Sequence, residues 1–134
     1  MELRYLYVGS PDTEVAVASW LRLPGARLRW RFHRFGADVA AVDLGSPPVV
    51  LLADHRPPGS VLPIYAVADL DAALTALGDG WVVDTGPMGT PEGPTCVVRD
   101  LGGSAIALLQ LDRPDALDGA FTADNPHAVV GPST

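Results

Sequence analysis

The sequence predicts an α+β domain made of two similar βαβββ halves. Three observations carry this. A strand–turn–strand segment occurs twice at a fixed offset, an amphipathic helix occurs twice at that same offset, and an apolar strand precedes each helix.

The repeated segment is clearest at the end of each half. Asp43-Leu44-Gly45 through Val49-Val50-Leu51-Leu52 to Arg56-Pro57 returns, 57 positions later, as Asp100-Leu101-Gly102 through Ile106-Ala107-Leu108-Leu109 to Arg113-Pro114. Seven of the 15 aligned pairs are identical, enough to set chance alignment aside. Glycine supplies the turn and the apolar run the second strand.

The helices follow the same spacing. Leu70, Ala73, Leu74 and Leu77 form the i, i+3, i+4, i+7 stripe of an amphipathic helix, with Asp69 placed to cap it and Gly78 to end it. Fifty-seven positions earlier stand Thr13, Ala16, Val17 and Trp20, with Ser10 as the expected N-cap, Pro11 opening the helix and Pro24-Gly25 stopping it. The leading strands are Leu3–Val8 and Val61–Val67. After the first helix come Arg27–Phe35 and Asp38–Leu44. After the second come Trp81–Thr85 and Thr95–Asp100, with the Gly- and Pro-rich stretch 86–93 expected as a loop. One domain therefore spans residues 1–114, in halves of about 3–57 and 61–114. Residues 115–134 lack periodicity and are expected as a flexible tail, with Phe121 reaching a neighbouring subunit.

Composition narrows the functions. A net charge of −7 and a pI near 4.6 disfavour nucleic acid and anionic membrane surfaces, and would favour a cationic ligand if the surface selects one. All nine basic residues are arginine. No apolar run is long enough to span a bilayer and the N-terminus has no secretory pattern, so a cytoplasmic protein is expected. Cys96, the single cysteine, lies in a valine-rich run and reads as a small core residue.

The order Val8…Asp12-x-Glu14, then Val67-x-Asp69-Leu70, then Arg99-Asp100-Leu101-Gly102-Gly103-Ser104-x-Ile106-x-Leu108 resembles the vicinal oxygen chelate superfamily. That group includes glyoxalase I, extradiol dioxygenases and the bleomycin-resistance proteins. The resemblance covers about residues 3–111. It implies a curved, barrel-like mixed sheet with the helices outside, a cavity on the concave face, and a homodimer. In the metalloenzymes of the superfamily, His or Gln near the start of each first strand and Glu in each last strand hold a metal. The matching positions here are Leu3, Leu62, Val50 and Ala107, and a one-residue shift brings in Arg4, Pro63, Leu51 and Leu108. Neither set can bind zinc, so no metal and no cofactor is expected.

If Leu3 and Leu62 face the cavity, the two-residue strand period adds Tyr5, Tyr7, Ile64 and Ala66, and the last strand adds Ala105, Ala107 and Leu109. In the strand 27–35, Trp30 and Phe32 either stand at the rim of the bay or pack as ordinary inner residues opposite Arg29, Arg31 and His33. The candidate ligand-binding set is Tyr5, Tyr7, Trp30, Phe32, Leu62, Ile64, Ala107 and Leu109. No catalytic residue is assigned. The expected function is metal-independent binding of a small organic molecule, aromatic or cationic, as in the bleomycin-resistance branch. The alternative is an enzyme, a lyase, isomerase or dioxygenase with an atypical metal site or metal-free acid–base chemistry. Its candidate groups are Tyr5, Tyr7, His33, His55 and Asp84. A third reading is a structural dimer module with a filled core.

Overall fold

A computed structural model describes residues 1–34, 36–120 and 128–129. The first half comprises β1 (Glu2–Gly9), α1 (Thr13–Trp20), β2 (Arg27–Arg34), β3 (Ala37–Asp43) and β4 (Val49–Ala53). The second comprises β5 (Val61–Val67), α2 (Leu70–Leu77), β6 (Trp81–Thr90), β7 (Gly93–Asp100) and β8 (Ala105–Gln110). A short helix α3 (Ala116–Ala120) and a two-residue strand β9 (Ala128–Val129) follow. The strands form one mixed sheet in the order β6-β7-β8-β5-β1-β4-β3-β2-β9. The two halves meet where β1 and β5 pair antiparallel, and each leading strand pairs parallel with the last strand of its own half. This is the α+β fold of tandem βαβββ units expected from the sequence. The sheet does not close on itself: β6 and β9 stand at its two edges.

Strand alternation divides the core. In β3 and β4, Ala40, Val42, Val50 and Leu52 turn to α1 and pack around Val17. In β7 and β8, Cys96, Val98 and Leu108 turn to α2 and pack around Leu70. Tyr5, Trp30, Ala41, Leu51 and Leu109 form a third cluster away from both helices. Cys96 is fully buried, as its valine-rich neighbours suggested, and burial holds its thiol above the ordinary value.

Asp69 caps α2 through the Ala72 amide at 3.0 Å, and Gly78 ends it at a φ of +64°. The cap of α1 is corrected. Asp12, not Ser10, accepts from the Val15 amide at 3.2 Å, and the helix starts at Thr13, beyond Pro11. The stretch 86–93 is corrected too. It forms no broad loop: β6 runs on through it to Thr90, its register slipping twice, and a tight turn at Pro91-Glu92 leads into β7. Gly86 carries a φ of +102°, where a side chain would strike the Thr95 carbonyl, which is why glycine stands at this irregular point.

Candidate functional site

The third cluster lines a half-open cavity of about 450 Å³ on the sheet face opposite α1 and α2. All eight candidate ligand-binding residues stand on its walls. Tyr5 and Tyr7 come from β1, Trp30 and Phe32 from β2, Leu62 and Ile64 from β5, and Ala107 and Leu109 from β8. Leu3, Ala66 and Ala105, expected on the same face, are not among the lining residues. In β1 the reason is a bulge between Leu3 and Tyr5, which breaks the two-residue alternation.

Pairing also corrects the relation between the halves. Tyr7 stands opposite Leu51 in β4, and its counterpart Ile64 stands opposite Ala107 in β8. The offset is therefore 57 residues in the leading strands but 56 in the closing hairpins. Val50, matched to Ala107 by the sequence repeat, instead faces α1, and Leu51 takes the cavity position. In the first strands, the counterpart of Leu62 is Tyr5 and not Leu3. The positions that correspond to a superfamily metal site are thus Tyr5, Leu51, Leu62 and Ala107. Three of these are hydrocarbon, so the residues do not fit a metal there. Among the described residues, no three His, Cys, Asp or Glu side chains come together as a metal-binding group.

One polar side chain of the cavity wall is not marked by the sequence. Glu92 lines the cavity while being 1% exposed, and Arg4 reaches it from β1 with Nε at 3.2 Å and Nη2 at 2.7 Å. Both bonds go to Oε2, so the other oxygen keeps its lone pairs. Burial, and then the neighbouring Glu92 carboxylate, push the Tyr5 phenol well above its ordinary pKa. The backbone fixes this arrangement. The Glu92 carbonyl accepts from the amides of Asp112 and Arg113, and Thr90 Oγ1 donates to the Gly93 carbonyl at 2.6 Å. Gly93 passes so close to the Gln110 carbonyl that a Cβ would lie 1.9 Å from it. No local signal marks Glu92, because the partner that allows its burial, Arg4, lies 88 positions away.

A second polar group lies on the side of the first half. The Tyr7 hydroxyl and His55 Nε2 share a hydrogen bond of 2.8 Å, and the Arg56 guanidinium sits 5.2 Å from the centre of the Tyr7 ring. Burial raises the Tyr7 pKa, with the Arg56 charge opposing and the Asp54 charge adding to it. His55 and Arg56 both line the cavity. Asp54 instead accepts from the Asp38 amide, so Asp54 and His55 form no dyad. His33 is exposed and lies 3.5 Å from Asp38, and Asp84 is exposed and pairs with Arg99 at 3.0 Å. Neither reaches the cavity.

After β8 the chain returns across this face. Leu117 of α3 lines the cavity, Asp118 takes two hydrogen bonds from Arg29, and β9 pairs with β2 at Arg31 and Phe32. Phe121 lies outside the described residues.

No family model matches the sequence, and no curated protein matches it. Solved structures do match in fold. The methylmalonyl-CoA epimerase from Mycobacterium tuberculosis aligns with a TM-score of 0.66 and 22% identity, over 87% of this chain and 91% of that one. A Streptomyces coelicolor methylmalonyl-CoA epimerase variant, in complex with 2-nitronate-propionyl-CoA, aligns with a TM-score of 0.68 and 14% identity, over 84% and 95%. A hypothetical protein from Bacillus halodurans C-125 aligns with a TM-score of 0.69 and 9% identity, over 84% and 95%. The epimerases belong to the vicinal oxygen chelate superfamily, and the fold of this chain is the fold of that group.

Proposed function

We propose that this chain is a metal-independent acid–base enzyme, an isomerase or lyase acting on a small apolar carbonyl compound. The observation that carries the proposal is Glu92, a buried carboxylate on the wall of a largely apolar cavity that the Tyr5 phenol also lines. Burying a carboxylate costs several kcal/mol unless partners compensate. Arg4 provides that compensation here. Glu92 would accept a proton from the carbon beside the substrate carbonyl, while the C–H electron pair moves towards the carbonyl oxygen. Tyr5 would donate a hydrogen bond to that developing oxyanion. Return of the proton completes an isomerisation, and departure of a β-substituent completes an elimination. That the matching structures include enzymes agrees with this reading over simple sequestration.

The cavity supports a substrate different from that of the epimerases. Its 450 Å³ suit an aromatic or branched carbonyl compound. The phosphates of a coenzyme A ester would lie outside it, on a protein of net charge −7. Non-catalytic binding is the second reading, favoured by the hydrocarbon side chains of Leu51, Leu62 and Ala107 at the superfamily's metal positions. A homodimer is also part of the proposal, supported by the β6 edge strand, which exposes Val82, Val83 and Met88. No helix among the described residues is long and apolar enough to cross a membrane, which agrees with a cytoplasmic setting.

The test is deuterium exchange in D2O, followed by proton NMR, on a panel of aromatic and branched 2-oxo acids and ketones with methylmalonyl-CoA as comparison. Protein-dependent loss of the proton beside the carbonyl in at least one phosphate-free compound is expected. Binding without exchange across the panel would leave the second reading in its place.

A further inference from the structure

Among the described residues, two buried side-chain polar atoms have no hydrogen-bond partner: Arg56 Nε and Thr95 Oγ1. Both residues line the same cavity. An unsatisfied buried polar atom costs about 1–3 kcal/mol. Two of them in one cavity, contributed by different halves of the fold, have almost no free surface as they stand, and a rotation of each side chain towards the cavity would let a ligand complete the hydrogen bonding.

The chemistry of each atom is specific. Arg56 carries a permanent charge, and no carboxylate among the described residues lies within ion-pair distance of it. Arg4, Arg27, Arg29, Arg31 and Arg99 each have one, and Arg22 and Arg113, which also lack one, do not line the cavity. The guanidinium lies over the Tyr7 ring, which holds its planar fork in one orientation, and that fork matches a carboxylate. Glu92 is already matched by Arg4, so Arg56 is the cavity's unbalanced charge. Thr95 is 8% exposed, and Thr95 and Val39 both line the cavity. The closing-hairpin offset of 56 residues makes Val39 its counterpart in the first half. Threonine and valine share a shape, so the hydroxyl adds a hydrogen bond rather than packing.

We infer that the ligand is an apolar monocarboxylic acid bearing a second, uncharged oxygen, with its carboxylate at Arg56 and that oxygen at Thr95. The inference rests on the cavity being the ligand site and refines the carbonyl compound proposed above. It also replaces the cationic ligand that the acidic surface would favour, because the charge at the cavity wall is opposite to the net charge of the chain.

Calorimetric titration of the full chain with 3-phenylpropanoate, 3-phenylpropanamide, 3-phenylpropylamine and phenylpyruvate tests this. The acid is expected to bind at least about tenfold more tightly than the amide and the amine, the ratio a charged hydrogen bond gives. Phenylpyruvate is expected to bind several-fold more tightly than 3-phenylpropanoate. Arg56→Met should abolish the preference for acids, Arg56→Lys should keep part of it, and Thr95→Val should remove only the advantage of phenylpyruvate. Equal binding of acid and amide, or an acid preference that survives Arg56→Met, would overturn the inference even if proton exchange is observed. Acid preference without exchange would uphold it and remove the catalytic reading instead. Failure of all four compounds to bind would overturn both.

Discussion

The two halves share a backbone plan and differ where they meet the cavity. Tyr5 and Tyr7 in the first half correspond to Leu62 and Ile64 in the second. Leu51 corresponds to Ala107, and Val39 to Thr95. Arg34 and Ala37 close the first hairpin as Thr90 and Gly93 close the second, so the tip that carries Glu92 in one half carries Gly36 in the other. Behind the sheet the correspondence is conservative: Leu52 matches Leu108, and Val42 matches Val98. The repeated part of each half builds the scaffold, and the unrepeated part shapes the cavity wall.

If that division holds, core truncations should hurt both halves alike. Leu52→Ala and Leu108→Ala remove side chains that are 0% and 1% exposed, and each should cost about 2–5 kcal/mol in urea denaturation. A silent variant in one half would break the equivalence.

A smaller effect should appear in the first half alone. Asp38 takes two hydrogen bonds from Arg31, which hold its carboxyl below the usual value against the opposing effect of burial. The matching residue of the second half is Pro94, which has no such group. Because the folded-state pKa is lowered, this stabilisation is complete above the ordinary carboxylate range and is lost as pH falls through the folded-state value. Asp38→Ala should cost about 2 kcal/mol at neutral pH, between the values for exposed and buried pairs. It should also flatten the loss of stability below about pH 4. An unchanged acid limb in denaturation curves would remove Asp38 from the account.

Smallest of all should be Tyr7→Phe, which deletes the bond to His55 at the open side of the cavity. A stability change of about 1 kcal/mol or less is expected by thermal melting. A larger loss would mean that Tyr7 holds the fold together rather than facing a ligand.

Periodicity and the repeat made most of this fold legible, since strand alternation and the helix stripe are local properties of the chain. Asp69, Gly78 and Cys96 all stand where their neighbours predict. What escaped depends on register. The bulge at Leu3 and Tyr5 and the change of offset from 57 to 56 each move a side chain from one sheet face to the other. The aromatic and aliphatic wall survived those slips because its residues lie past the irregular points: Tyr5 and Tyr7 follow the bulge in β1, and Trp30 and Phe32 follow the one in β2. Glu92 was hidden for a different reason. It lies in a stretch whose glycines and prolines suggest a loop, and its burial depends on Arg4, 88 positions away. Arg56 and Thr95 were equally silent, because an unsatisfied hydrogen bond exists only in three dimensions.

The central claim is that the Glu92 carboxylate of the second half, absent from the first, moves the substrate proton. The most direct measurement compares Glu92→Gln with the parent chain in the exchange of the C3 protons of phenylpyruvate in D2O. Thermal melts alongside should show that the variant folds. Glutamine keeps the shape and can still bond Arg4 but cannot accept the proton, so exchange should slow by about 10²–10⁴-fold. Exchange at the parental rate in a folded Glu92→Gln protein would contradict the account.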